Sequence, residues 1–329
     1  MAQFDLSLEE LEAYDPPRSE PADFDAFWTS TIAASRERSA APRFEAMESP
    51  LRTIDALDVT FSGFMGQPIK GWFLAPRGAT GPLPTVVEYI GYGGGRGIVL
   101  DWLAWASTGY AHLVMDTRGQ GATWRRGDTS DVDPFGTGPQ IPGVMTRGIL
   151  DPSTYYYRRL ITDAVLALEA ARAHPLVDPD RLIAAGISQG GGLTIAAAAL
   201  GRAAAAIAEV PFMSHFRRAL EITDELPYEE IRRFLKTHRA DEPAVFRTLE
   251  YFDARHFAAR ATIPALFTVG LEDKITPPST VFAAYNAYAG PKRIRVWPYN
   301  GHEAQGIDQL VESLAFLAEL GMAPVPAAP

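Results

Sequence analysis

The run Arg181-Leu-Ile-Ala-Ala-Gly186-Ile-Ser188-Gln-Gly190-Gly191-Gly192-Leu-Thr-Ile-Ala-Ala-Ala-Ala-Leu200 decides how this chain is read. It begins as a short apolar strand, turns through Gly-x-Ser-x-Gly, and continues as an alanine-rich helix. The pentapeptide alone recurs by chance in glycine-rich chains; its flanks give it meaning. A serine on a sharp strand-to-helix turn stands clear of the sheet, its hydroxyl exposed beside a helix N-terminus. Gly186 and Gly190 leave room for backbone that a Cβ would crowd. The further glycines let the helix approach the sheet. Ser188 is therefore the candidate nucleophile.

A serine hydroxyl needs a base, and the base needs an orienting group. Folds with this elbow place them in the order serine, acid, histidine. Four histidines follow Ser188: His215, His238, His256 and His302. His302 lies in the turn Tyr299-Asn-Gly-His-Glu303, after the strand-like run Lys292–Pro298. Loops past the C-terminal ends of strands carry the reactive groups of open α/β sheets. The other three histidines lie in charged, helical sequence and read as solvated or structural. Asp273 follows the buried-type strand 263–270, as an orienting carboxylate would; Glu272 points elsewhere if the backbone there is extended.

The oxyanion needs donors of its own. One is the N–H after the nucleophile, that of Gln189; the other comes from a loop after an earlier strand. Pro84–Ile90 followed by Gly91-Tyr92-Gly93-Gly94-Gly95-Arg96-Gly97 fits, with Tyr92 the donor by position. A phosphate-binding loop is the rival reading, but no strict G-x-G-x-x-G and no Gly-Lys pair are present. Arg118 and Gln120 open the loop after Ala111–Met115. Arg118 could pin it by a bidentate pair with a carboxylate, and Gln120 by bonding to backbone. Gly91 and Pro211 join these two as candidates for substrate contact or loop support.

Around these motifs strands and helices alternate, which predicts an α/β fold: a mostly parallel twisted sheet covered by helices on both faces. Strands are expected at 84–90, 111–116, 181–186, 204–210, 263–270 and 292–298. Helices are expected at 24–38, with Asp23 as cap, and at 98–107, 158–173, 190–200, 279–288 and 306–320. Residues 53–62 and 69–75 alternate around Gly63-Phe-Met-Gly66 as an antiparallel hairpin. The chain reads as one domain, 1–329. Residues 1–50 form a helical extension, 211–259 a helical insertion near the active site, and 322–329 a flexible tail. The stretch 121–148 exceeds an ordinary connection, which marks a functional or subunit-contacting loop.

Taken together, Gly91–Gly97, Met115-Asp-Thr-Arg-Gly-Gln-Gly121, Gly186–Gly192, Thr146–Tyr157 and His302-Glu303 resemble the acetyl xylan esterase and cephalosporin C deacetylase family, the seventh carbohydrate esterase family. The resemblance runs from about residue 10 to about 320. It implies an α/β-hydrolase fold, removal of acetyl groups from small oxygen esters, and a Ser188–Asp273–His302 triad with Tyr92 and Gln189 forming the oxyanion hole. It also implies a ring-like homohexamer. Glu88-Tyr-Ile before Gly91 and Thr276, where some members carry cysteine, depart from the pattern; both are expected to shape the acyl pocket and neither to touch the triad. A serine peptidase or other acyl hydrolase, and a non-catalytic scaffold, remain alternatives on the same fold.

The 329 residues carry a net charge of −10, which argues against nucleic-acid and anionic-membrane partners. The arginine pairs at 125–126, 158–159, 217–218 and 232–233 are interleaved with acids and read as solvated surface or subunit contacts. With no cysteine, thiol catalysis and disulfides are excluded. No metal or organic cofactor is called for, since Gly306 stands where a His-Glu-x-x-His site needs its second histidine. The N-terminus lacks a basic and apolar leader, so a cytoplasmic protein is expected.

Overall fold

Period-two alternation sorts the strand residues to two faces, and each face meets helices. A computed structural model describes residues 3–131, 138–141, 143–303 and 306–324. Its strands are β1 (Arg43–Ala46), β2 (Ile54–Ser62), β3 (Pro68–Pro76), β4 (Leu83–Tyr89), β5 (Ala111–Met115), β6 (Val177–Ile187), β7 (Ala205–Glu209), β8 (Ala265–Gly270) and β9 (Lys292–Trp297). They form one sheet in the order β1-β2-β3-β5-β4-β6-β7-β8-β9. The pairings from β1 to β5 are antiparallel and those from β5 to β9 parallel.

The helices are α1 (Leu8–Glu12), α2 (Phe24–Arg36), α3 (Leu103–Ser107), α4 (Tyr156–Arg172), α5 (Gln189–Leu200), α6 (Phe216–Ile222), α7 (Tyr228–Thr237), α8 (Glu242–Leu249), α9 (Ala254–Ala258), α10 (Pro278–Ala287) and α11 (Gly306–Glu319). Val86, Ile183, Ile207 and Leu266 pack with Trp105 of α3 and Phe316 and Leu317 of α11. Their alternating neighbours Val87, Ala184, Ala206 and Phe267 belong to the core that α2, α4, α5 and α9 complete. Helix α5 is apolar all round because sheet and helices enclose it. Among the described residues, no helix is long and apolar enough to cross a membrane.

The structure corrects several expectations. Residues 1–50 are not wholly helical: Arg43–Ala46 form the edge strand β1. Four mostly exposed residues carry no alternation to read, and only Phe44 packs inward, edge-on to Phe73 at 5.6 Å. Asp23 does not cap α2 with its side chain but accepts the Tyr251 hydroxyl at 2.5 Å. The expected helix 98–107 divides into a 3₁₀ turn at Val99–Trp102 and the short α3. The expected tail begins as ordered chain: Met322 N–H donates to Leu317 O at 2.8 Å, and Pro324 lies beside Gly109. Residues 325–329 lie outside the described residues. The insertion is helical, as α6 to α9, and Asp5 of the N-terminal segment ties to it through Arg218 at 2.9 Å.

Candidate active site

Ser188 sits between β6 and α5 with φ 59° and ψ −116°, a conformation that side chains rarely adopt. Such strain costs about 1–3 kcal/mol and persists only where neighbours over-determine it. Here they do. Ser188 N–H donates to Glu209 O at 2.9 Å, and its carbonyl accepts Gly192 N–H at 3.0 Å and Phe212 N–H at 2.9 Å. A Cβ on Gly190 would stand 2.1 Å from Tyr89 O, and one on Gly186 would stand 2.6 Å from the Gly190 backbone. The glycines around the serine therefore set how closely α5 meets β4.

His302 Nε2 lies 2.9 Å from Ser188 Oγ, and His302 Nδ1 lies 2.8 Å from Asp273 Oδ2. The carboxylate fixes the tautomer, with Nδ1–H donating to Asp273 and Nε2 free to accept from the serine. Asp273 is fully buried, and its other oxygen accepts the N–H groups of Ile275 at 2.8 Å and Thr276 at 2.9 Å. Glu303 holds the histidine turn, accepting Gly301 N–H at 2.8 Å and Asn300 Nδ2 at 2.6 Å. Thr276 corrects one expectation, because its hydroxyl donates to Asp273 Oδ2 at 2.7 Å and lies 3.3 Å from His302 Nδ1. It touches the triad directly. The other histidines are engaged elsewhere: His256 with Glu250 at 2.7 Å, and His215 with the Tyr14 hydroxyl at 3.3 Å. Burial holds His215 down at about 4. His238 stacks on Phe234.

Gly91 faces the serine closely enough that an added Cβ would come within 3.9 Å of Ser188 Cβ. Among the described residues the backbone N–H groups of Tyr92 and Gln189 donate no hydrogen bond. The Gln189 N–H is one of the orphan donors that open any helix. The side chains around them form a brace. Gln189 donates to Ile90 O at 3.0 Å and accepts from Gln120 at 2.9 Å and the Tyr157 hydroxyl at 3.0 Å. Gln120 in turn accepts Gly93 N–H at 2.7 Å. The Tyr92 hydroxyl donates to Glu230 of α7 at 2.7 Å, and burial, then the Glu230 charge, pushes that phenol far above its ordinary value. Trp124 Nε1 donates to Tyr92 O at 2.8 Å.

Arg118 and Gln120, expected to contact substrate or support the loop, are fully buried, and neither lines the cavity that holds Ser188. Arg118 makes a bidentate pair with Asp163 of α4, at 2.5 and 2.7 Å, and donates to Gln67 at 2.7 Å. Pro211 is buried against Gly191 of α5 and also does not line the cavity. That cavity, of about 640 Å³, holds Ser188 and His302 and is walled by Tyr92, Trp124, Leu226 and Glu230 among others. The insertion and the 121–148 segment thus both reach the site; residues 132–137 and 142 of that segment lie outside the described residues. Trp124 and Glu230 carry no sequence motif that names them, and Arg125 reads from sequence only as solvated surface or a subunit contact. The adjacency of Trp124 to the Arg-Gly-Gln loop is the one signal that could have found that tryptophan.

The sheet order and the serine elbow at the end of β6 define the class of this protein as an α/β-hydrolase. The acetyl xylan esterase (AXE1) family model matches residues 1–320, and the chain belongs to that family. It is similar to the acetyl xylan esterase from Paenibacillus sp. R4, with 39% identity, 96% of this chain and 99% of that one covered, and a TM-score of 0.87. It is similar also to acetyl xylan esterase 1 from Thermoanaerobacterium sp. JW/SL YS485, with 31% identity, the same coverage and a TM-score of 0.85. The acetyl esterase Axe7A of Xylanibacter ruminicola is 25% identical over 309 residues, 88% of this chain; the chain spans 65% of that protein's length.

Proposed function

We propose that this protein is a serine esterase that removes acetyl groups from small oxygen esters, among them acetylated xylo-oligosaccharides, acetylated sugars and cephalosporin C. The relay from Asp273 through His302 to Ser188, at 2.8 and 2.9 Å beside two uncommitted amide donors, is the observation that carries the reading. Ser188 Oγ attacks the ester carbonyl carbon as His302 Nε2 takes its proton. Asp273 holds the imidazole and stabilises the imidazolium. The tetrahedral oxyanion accepts from the Tyr92 and Gln189 N–H groups, each worth about 3–4 kcal/mol in comparable sites. The C–O bond to the alcohol breaks, and the alcohol leaves with the proton from His302. Water, deprotonated by His302, then attacks the acetyl-serine and frees acetate.

The same reading takes the protein to work in the cytoplasm as a ring-like homohexamer, without nucleic-acid or membrane partners. The net charge of −10 supports the last point, and the exposed Trp124 and Leu226 at the cavity support a site that faces a confined space.

The test is a panel of p-nitrophenyl esters of increasing acyl length beside acetylated xylose and cephalosporin C. Acetate release with a steep fall in kcat/KM beyond the acetyl ester is expected. Ser188→Ala should lower kcat at least about a thousandfold while leaving the unfolding midpoint close to wild type. Retained turnover in that variant would mean that another group is the nucleophile.

A further inference from the structure

Of the two readings its Arg-Arg pairing gives, solvated surface or subunit contact, Arg125 does not fit the first. It lines the cavity that holds Ser188 and His302, with 26% of its side chain exposed. Its guanidinium carbon lies 4.4 Å from the ring centre of Trp102 and 5.1 Å from that of Trp124. The backbone fixes it as well: Arg125 O accepts Gly95 N–H at 3.0 Å, within the glycine-rich loop. Its stem fills the space beside Gly97, where an added Cβ would meet Cγ and Cδ at 2.8 Å.

A guanidinium carries five N–H donors in a planar fork. Among the described residues, the Arg125 fork makes no hydrogen bond. The nearest anion among these residues is Asp101, 3.7 Å from Nε, and that carboxylate already accepts Ile98 N–H at 2.9 Å. Arg96 and Arg118, by contrast, are paired with carboxylates at 2.5 to 2.8 Å. Of the other charges on this cavity wall, Glu230 is committed to Tyr92 and to Met145 N–H, and Arg233 to Glu229 at 3.3 Å. Among the described residues Glu88 is the remaining carboxylate, at the end of β4, and it lies 2.8 Å from His112 Nε2. A stacked, partly desolvated guanidinium with its donors unspent is a ready partner for a planar anion.

We propose that Arg125 selects acetyl esters whose alcohol portion carries a carboxylate, as a uronic acid does, by pairing with that carboxylate while the ester carbonyl sits at Ser188. An acetyl group has no place for a charge, so the anion must belong to the alcohol. This rests on the esterase reading above.

The test compares kcat/KM for O-acetylated methyl glucopyranosiduronic acid with that for its uronamide, which has the same sugar and acetyl groups without the charge. Wild-type enzyme should favour the acid about tenfold, the scale of one hydrogen-bonded charge pair. Arg125→Met, which keeps an apolar stem against the indoles, should bring the ratio close to one. Arg125→Lys, which keeps the charge without the fork, should give an intermediate ratio, and answers the same question if the methionine variant does not fold. Salt near 1 M should lower the wild-type ratio by screening. A wild-type ratio near one, or a ratio unchanged in both variants, would overturn the proposal while leaving the esterase reading intact. Failure of the wild-type enzyme to deacetylate either sugar or p-nitrophenyl acetate would overturn both.

Discussion

Asp273 receives four donors: two backbone N–H groups at one oxygen, the Thr276 hydroxyl and His302 Nδ1 at the other. A buried carboxylate is tolerable only when its lone pairs are met in this way. Thr276 acts through Asp273 and is a positioning residue. Thr276→Val should lower kcat/KM for p-nitrophenyl acetate about tenfold to a hundredfold, the loss of one hydrogen bond to a charged group. Thr276→Ser, which keeps the hydroxyl, should restore most of it; equal losses in the two variants would point to packing instead. The sequence reading found Asp273 and His302 because both follow strands at the reactive edge. It took Thr276 for a pocket residue, since nothing local in Asp-Lys-Ile-Thr says that the threonine folds back onto the acid.

At the scale of elements, the elbow depends on how closely α5 meets β4 and β7. Gly191 and Gly192 stand against Glu209 O and Phe212 O, where added Cβ atoms would come within 2.7 and 2.3 Å. Gly190 is tighter still against Tyr89 O. Gly190→Ala should therefore push the start of α5 away from the sheet, costing about 1–3 kcal/mol by overpacking. It should also lower ester turnover, because Ser188 and the Gln189 N–H move with the helix. Denaturant midpoints and kcat measured together check this; a stable variant with full activity would contradict it. The strand–turn–helix order was legible because glycine spacing and apolar runs are local signals. Strand β1 was not, because an edge strand of four mostly exposed residues owes its form to β2.

For the whole molecule, the C-terminal edge of the sheet carries a charge cost in carboxylates outside the relay. Glu209, at the end of β7, lines a second cavity of about 390 Å³ that also holds Glu88. Burial, and next the Glu88 charge, push the Glu209 carboxyl up to about 8. A carboxyl raised in the folded state binds a proton that the unfolded chain releases, so the unfolded state holds fewer protons between about pH 4.5 and 8. Its contribution to stability is full below the ordinary glutamate value and is lost as pH rises toward about 8. Glu209→Gln, which cannot ionise, should unfold a few degrees above wild type at pH 9 and close to it at pH 4.5. Parallel melting curves across that range would show that Glu209 is not raised.

By itself the sequence determined the order of the strands and helices around the elbow, the elbow itself, and the three residues of the candidate relay, because periodicity, glycine placement and strand ends are written locally. Only the tertiary structure decided that Ser188, Asp273 and His302 stand within hydrogen-bonding reach. It alone brought Gln120 and Gln189 together under the glycine-rich loop, turned Thr276 onto the acid, and set Arg125 against two tryptophans. Those contacts join residues far apart in the chain or reverse the direction a side chain was expected to take. They arise from packing, which no single stretch of sequence encodes.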